Sequence, residues 1–412
     1  MKRFLIAALA CILLMQPAAL PQVTRERLEA DPLIAMDVYR MYEYSGVPAS
    51  PAPKGYKATY LSHYGRHGER YVNRPKYIVP GLEVLRREEL TPLGEKALRI
   101  VQDLADRSEG HWGDLTPLAD VSIGEITGRM YKRDCGVFRP GRLVRCQATT
   151  EPRCLLTMTR TAAGLAALCP RLKLTYEANA ERTKVLAGCL TMADTCAYIQ
   201  DAKRDSIFAA SPEADSWVAN LFKEPGKLSG KDIVDVTGSI VFVWKDYPNL
   251  GLPLFDLSEF LTEEKIYLWT RAQTARSFSI YCRSRWWNGC LDLMRPLLED
   301  FVTKADEALE RGDIAADLRF GQDYVLMSLF SVLRLRGHER NLDYDEIPEH
   351  WDIASWCPIS GSLQLIFYTR KNSPVLVKLL INEKETDIPV LEAVSGPYYL
   401  WSDVKDLMLA ND

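Results

Sequence analysis

Residues 60 to 71 read Tyr60-Leu61-Ser62-His63-Tyr64-Gly65-Arg66-His67-Gly68-Glu69-Arg70-Tyr71. An apolar, β-leaning run (Ala58, Tyr60, Leu61) leads into the string Arg-His-Gly-x-Arg. The pattern predicts a strand over 57–63 with the basic string on the loop that leaves it. One imidazole between two guanidiniums suits attack on a phosphorus centre. Arg66 and Arg70 would hold phosphate oxygens through paired N–H donors. His67 would be the nucleophile and carry a phosphohistidine, and Gly68 would let the backbone come close to a ligand. The bland reading of the same string is a polar loop making surface contacts. Glu69 is read as turned away and orienting an arginine, and His63, on the strand end, as a packing residue.

Three further stretches carry the reading outward. Residues 144 to 158, Val-Arg-Cys-Gln-Ala-Thr-Thr-Glu-Pro-Arg-Cys-Leu-Leu-Thr-Met, place Arg153 at the start of a helix. Residues 318 to 332 switch from strand to helix around Gly321-Gln322-Asp323, and residues 391 to 401 end in Pro397-Tyr398-Tyr399-Leu400-Trp401. Together with the first string, they resemble the motifs of the histidine phosphatase superfamily, in its acid phosphatase and phytase branch. The likeness looks closest to bacterial relatives of the multiple inositol polyphosphate phosphatases and spans nearly the whole chain past the leader. The resemblance implies an α/β fold: an open, mostly parallel sheet flanked by helices, a phosphoglycerate mutase-like core, with a mainly α-helical inserted domain. It implies Arg153 as a third phosphate-binding arginine and Asp323 as the acid that protonates the leaving oxygen.

One residue departs from the family pattern. Gln322 stands where a His is expected before the distal acid, and there it would bind phosphate as a neutral amide donor. Charge-assisted bonds are roughly twice as strong as neutral ones, and losing one such donor to a developing charge costs on the order of 10²–10³ in rate. Asp323 has a second reading as the helix N-cap before the apolar run Val325 to Val332.

The resemblance implies a phosphoric monoester hydrolase acting on inositol polyphosphates or phytate through phosphohistidine. Asp323 would have to start protonated, so an acidic working range is expected. The alternative is a catalytically impaired member, with Gln322 as the cause, that binds phosphate esters. A mutase-like phosphoryl transferase is the third class, and the export leader argues against it. The only partner expected is a small-molecule phosphate monoester.

The leader is read from Lys2 and Arg3, the apolar run Phe4 to Met15, and Pro17-Ala18-Ala19. This is a signal peptide over 1–20, cleaved near Ala19, for an exported, periplasmic or secreted protein. Lipoprotein anchoring at Cys11 fits less well, because more apolar residues follow it. No later stretch is long and apolar enough to span a membrane. The 412 residues carry a net charge of −4, which gives no nucleic-acid footprint. Of ten cysteines, nine lie past the leader. Short separations suggest pairing of Cys146 with Cys154, Cys189 with Cys196, and Cys282 with Cys290, although spacing alone cannot establish connectivity. Neither Cys-x-x-Cys nor His-Glu-x-x-His occurs, so no metal site and no cofactor are expected.

Along the chain, residues 21–180 and 311–412 are expected to form the α/β core, and 181–310 the helical insertion. Thr91-Pro92 opens a helix as N-cap and first helical residue, and Thr116-Pro117 is expected to do the same. Residues 172–176 read as a strand and 178–183 as its loop. Residues 363–368 and 375–381 read as a hairpin. The strings Arg66-His67 and Gln322-Asp323 both sit where a strand gives way to a helix, the place where open sheets of this kind bind ligands. The string Gly337-His338-Glu339 reads as a solvated loop. Arg271, Arg276, Arg283 and Arg285 with Trp286-Trp287 read either as a pocket for further phosphates or as a snorkelling surface.

Overall fold

The strand expected over 57–63 runs further, Lys57–Arg66 (β1), and carries the basic string at its end. The structure, a computed structural model, describes residues 21–188, 216–285 and 290–410. The leader, Cys189 and Cys196, Trp286-Trp287 and the side chain of Cys290 lie outside the described residues, and with them two of the suggested cysteine pairs. Cys146 and Cys154, the third pair, are both buried free thiols and form no disulfide.

The other strands are Leu143–Ala148 (β2), Lys173–Glu177 (β3), Ile314–Gly321 (β4), Ser362–Thr369 (β5), Leu376–Ile381 (β6), Lys384–Thr386 (β7) and Tyr399–Leu400 (β8). They form one sheet in the order β3-β2-β4-β1-β5-β6-β7, with β8 on β6. Strands β3, β2, β4 and β1 pair in parallel. The chain then turns back through antiparallel β5, β6 and β7. The sheet is therefore open, mixed and mostly parallel, with helices on both faces.

Alternation along β1 decides which helices cover which face. Tyr60 and Tyr64 point into a core with helices Glu263–Tyr281, Cys290–Arg311 and Asp323–Val332. Leu61 points the other way, toward helices Pro117–Arg133 and Pro152–Leu168. A further apolar cluster gathers helices Val79–Arg87, Pro92–Ser108 and Gly230–Asp246 with Ala35, Met36 and residues 217–222. Strand β4 is buried along its whole length, yet it carries Asp317 and Arg319. Both are paired: Asp317 with Arg145 at 2.8 Å, and Arg319 with Asp300 at 2.8 Å.

Local rules held at some helix starts and failed at others. Thr91 caps helix Pro92–Ser108 as expected, its hydroxyl accepting from the Gly94 N–H at 3.3 Å. Thr116 begins helix Pro117–Arg133 without a side-chain cap; its hydroxyl donates to the Asn249 carbonyl at 2.8 Å. Residues 178–183 are not all loop: Asn179 caps a helix over Ala180–Ala187. Among the described residues no helix is long and apolar enough to cross a membrane.

Gly94 shows how closely the helical layer packs. A Cβ there would penetrate the carbonyl of Leu221. Helix propensity alone favours Ala over Gly by about 1 kcal/mol, whereas overpacking against rigid backbone costs about 1–3 kcal/mol. Gly94→Ala is expected to lower the midpoint of urea unfolding. A raised midpoint would show that the Leu221 segment gives way.

Candidate active site

Strands β2, β4 and β1 are neighbours, and their C-terminal ends lie side by side. Each end opens into a segment that carries a residue singled out from the sequence. From β1 the chain passes into His67-Gly68-Glu69-Arg70. From β2 it enters helix Pro152–Leu168, with Pro152 in its first turn and Arg153 next. From β4 it enters helix Asp323–Val332. Neither helix has a side-chain cap at its N-terminus, so each presents the positive end of its dipole.

Backbone bonds hold the string against these elements. The His67 N–H donates to the Gly321 carbonyl at 3.2 Å, and the Ser360 N–H donates to the His67 carbonyl at 3.1 Å. The Gly68 N–H donates to Thr157 Oγ1 at 3.0 Å, and that hydroxyl donates to the Arg153 carbonyl at 2.7 Å. A Cβ at Gly68 would press on Ile123 at 3.0 Å and Ala119 at 3.1 Å. The close approach this glycine allows is thus to helix Pro117–Arg133.

His67 is buried, and its Nδ1 lies 2.8 Å from the Gly68 carbonyl. With the proton on Nδ1 and donated there, Nε2 keeps the lone pair. Burial, then Arg153, Arg66 and Arg70 in that order, hold its pKa well below the ordinary 6.5. The imidazole is therefore neutral in a field set by three guanidiniums.

Each guanidinium has its own partners. Arg66 donates from Nη1 to the carbonyls of Val38 and Cys357, the latter at 2.9 Å, and its Nη2 lies 3.8 Å from Asp323. Arg70 pairs with Asp246 at 3.3 Å and lies over the Tyr39 ring, 5.1 Å from its centroid. Arg153 pairs with Glu151 at 2.6 Å and donates to Asn73 Oδ1 at 3.2 Å.

Gln322 is the N-cap residue and Asp323 the first residue of the helix, so the N-cap reading of Asp323 is corrected. Gln322 Nε2 donates to Cys154 Sγ at 3.4 Å. Glu69 does not grip an arginine: its carboxyl bonds with Ser122, and burial raises its pKa. His63 packs as expected, 5.2 Å from the Phe320 ring, with its pKa pushed down to about 3 by burial and by Arg319. His338 is not in a solvated loop. It is buried between Trp351, Trp356 and Phe330, accepting from Trp351 Nε1 at 2.9 Å. Arg271 and Arg285 are engaged by Glu349 at 2.6 Å and Glu346 at 3.2 Å.

Asp246, Asn73 and Thr157 hold the site together and were not found from the sequence. Asn73 and Thr157 carry no signal of their own. Asp246 carries one: an acid ending an apolar helix opposes the helix dipole and calls for a buried cation nearby.

No family model matches the chain, and no curated protein matches it in sequence. Solved structures do. A multiple inositol polyphosphate phosphatase from Bifidobacterium longum, in complex with inositol hexasulfate, aligns with a TM-score of 0.75 over 91% of this chain and 97% of its own, at 14% identity. Its complex with phosphate gives a TM-score of 0.74 over the same shares, at 15% identity. A phytase from D. castellii gives 0.67 over 92% of this chain and 85% of its own, at 13% identity. The chain has the fold of these phosphatases. At such identities the likeness is one of architecture.

Burial of His338 sets an acid limit on stability. Its pKa is pushed down to about 3 in the folded chain against an ordinary value of about 6.5 in the unfolded one. The unfolded state therefore binds more protons below pH 6.5, and stability falls on acidification. One such group adds a slope of up to about 1.4 kcal/mol per pH unit. His338→Gln keeps an acceptor for Trp351, and its unfolding free energy should fall less steeply than wild type between pH 6.5 and 5. Equal slopes would show that His338 does not stay neutral on folding.

Proposed function

We propose that the chain is an exported histidine phosphatase that hydrolyses phosphate monoesters, inositol polyphosphates foremost, through a phosphohistidine on His67. The observation that carries this reading is the neutral His67 imidazole in the combined field of Arg66, Arg70 and Arg153. The solved neighbours, inositol polyphosphate phosphatases and a phytase, support it at the level of fold. The leader of the sequence supports export.

Such a site acts mainly by positioning and neutralisation. The three arginines bind the dianionic phosphate and offset the charge that spreads over its oxygens in the transition state. His67 Nε2 attacks phosphorus in line while the bond to the ester oxygen breaks. Asp323 gives its proton to the departing alkoxide. Water then attacks the phosphohistidine, Asp323 takes back a proton, and the P–N bond breaks to release inorganic phosphate and neutral His67. Because its pKa lies well below 6.5, His67 stays nucleophilic at acidic pH, where Asp323 must start protonated. Arg66 binds Asp323 across 3.8 Å, so acid and phosphate share one guanidinium.

A second reading rests on Gln322, whose side-chain amide is engaged by Cys154. With that donor partly withdrawn from phosphate, the protein would bind phosphate esters with little turnover.

Phosphate release from inositol hexakisphosphate and from an aryl phosphate at pH 4–7 separates the two. Wild type should release phosphate from both and prefer the inositol ester. His67→Ala should lose at least about 10³-fold, the scale of removing a nucleophile that acts with its whole site. A silent wild type with an active Gln322→His would establish the binding protein. Activity that survives His67→Ala would refute the phosphohistidine.

A further inference from the structure

We propose that the last two turns of helix Gly230–Asp246 set the positions of Arg66 and Arg70, with Lys245 and Asp246 as positioning residues for the two guanidiniums that flank His67. The inference rests on the phosphatase reading of the site and adds residues that no part of that reading requires.

Three side chains at the end of this helix reach toward the site. Asp246 is completely buried, lies 3.3 Å from Arg70 Nη1, and accepts from Asn249 Nδ2 at 3.2 Å on its other oxygen. Lys245 Nζ pairs with Asp37 at 2.7 Å, both side chains being buried. Phe242 meets the Tyr39 ring edge-on, with centroids 5.3 Å apart.

The segment Asp37-Val38-Tyr39 relays two of these contacts. Asp37 takes the lysine, its carboxylate accepts the Val38 N–H, and the Val38 carbonyl accepts from Arg66. Tyr39 takes Phe242 and lies under the Arg70 guanidinium. Each half of this short segment is thus fixed by the helix on one side and touches an arginine on the other.

The arrangement runs against local preference, which argues that it serves the site. A carboxylate at a helix C-terminus is disfavoured by the dipole. A buried ion pair is often no more stabilising than apolar packing would be. Asp37 adopts φ +46° and ψ −128°, a conformation that a residue with a Cβ rarely takes and that persists only where its surroundings impose it. Helix, segment and arginines come from three separate parts of the chain, so the helical layer and the phosphate-binding edge are coupled through charge as well as through packing.

The test is a double-mutant cycle read by calorimetric binding of inorganic phosphate, which does not depend on turnover. The four proteins are wild type, Asp246→Asn, Arg70→Ala and the double variant. Asp246→Asn should weaken phosphate binding about tenfold in the wild-type background and less than twofold when Arg70 is already Ala. A tenfold loss that shrinks below twofold corresponds to a coupling of about 1 kcal/mol or more. A purely structural role would cost the same in both backgrounds and would overturn the proposal. So would tighter binding by Asp246→Asn, which would mean that the carboxylate acts only by repelling the anion. If Asp246→Asn does not fold, Lys245→Met crossed with Arg66→Ala decides by the same criterion. A wild type that binds no phosphate would overturn both the site reading and this inference, whereas binding without coupling would overturn the inference alone.

Discussion

Like charges converging on one small buried volume are the constraint around which this protein is built. Arg66, Arg70 and Arg153 are all buried and all act on His67. Their mutual repulsion is strong where water is excluded, so each must be held by groups that do not neutralise the site outright. The partners are graded accordingly. Arg70 has a fully buried carboxylate, Arg153 a partly exposed one, and Arg66 chiefly two backbone carbonyls. The same field keeps His67 from taking a proton, so in the proposed mechanism the charge that binds a dianion also preserves the lone pair that attacks it.

This balance depends on strand register. Arg66 stands opposite Gly321 in the β1–β4 ladder, which sets His67 against the helix that follows β4. A slip of one residue would turn every side chain of β1 to the opposite face. Apolar contacts alone discriminate weakly against such a slip, but the polar residues inside the sheet do so strongly. Asp317 accepts from Tyr60 on β1 and Arg145 on β2. Arg319 donates to Ser62 on β1 and pairs with Asp300 on the covering helix. Breaking one of these pairs would leave an uncompensated buried charge, a cost of about 3–5 kcal/mol. Their contribution is to alignment, two and four residues before the point where β4 enters the site.

What could be read in the sequence followed from how local its cause was. The strand ending in Arg66-His67 and the strand-to-helix switch at Gly321 were legible because residue pattern and backbone state coincide there. Thr91 was legible as a cap because its donor lies three residues on. Thr116 has the same neighbours in sequence and does not cap, although both hydroxyls donate to carbonyls more than a hundred residues away, so nothing in the shared local pattern separates them. His338 was misplaced because the charged residues around it suggest solvent, whereas Trp351 and Trp356 close over it from later in the chain. Asp246 escaped for the same reason: its partner is 176 residues distant, and no spacing rule reaches that far. Site residues that touch phosphate in the proposed mechanism carry motif signals, whereas those that position them carry at most a local oddity such as the acid at the end of helix Gly230–Asp246, because positioning is a property of the fold.

The replacement at Gln322 also looks different once the field of the site is known. From sequence alone it removes a cationic donor, and the penalty attaches to the lost charge. Yet an imidazole at position 322 would sit at the same edge as His67 and feel the same guanidiniums. Burial and three positive neighbours hold His67 well below its ordinary pKa, and they would act on a second imidazole in the same direction. The charge advantage of His over Gln is therefore smaller in this site than in one with fewer arginines. The Gln322 amide keeps a second N–H besides the one given to Cys154. Three guanidiniums and two uncapped helix N-termini give the proposed site its positive potential without a cation at position 322.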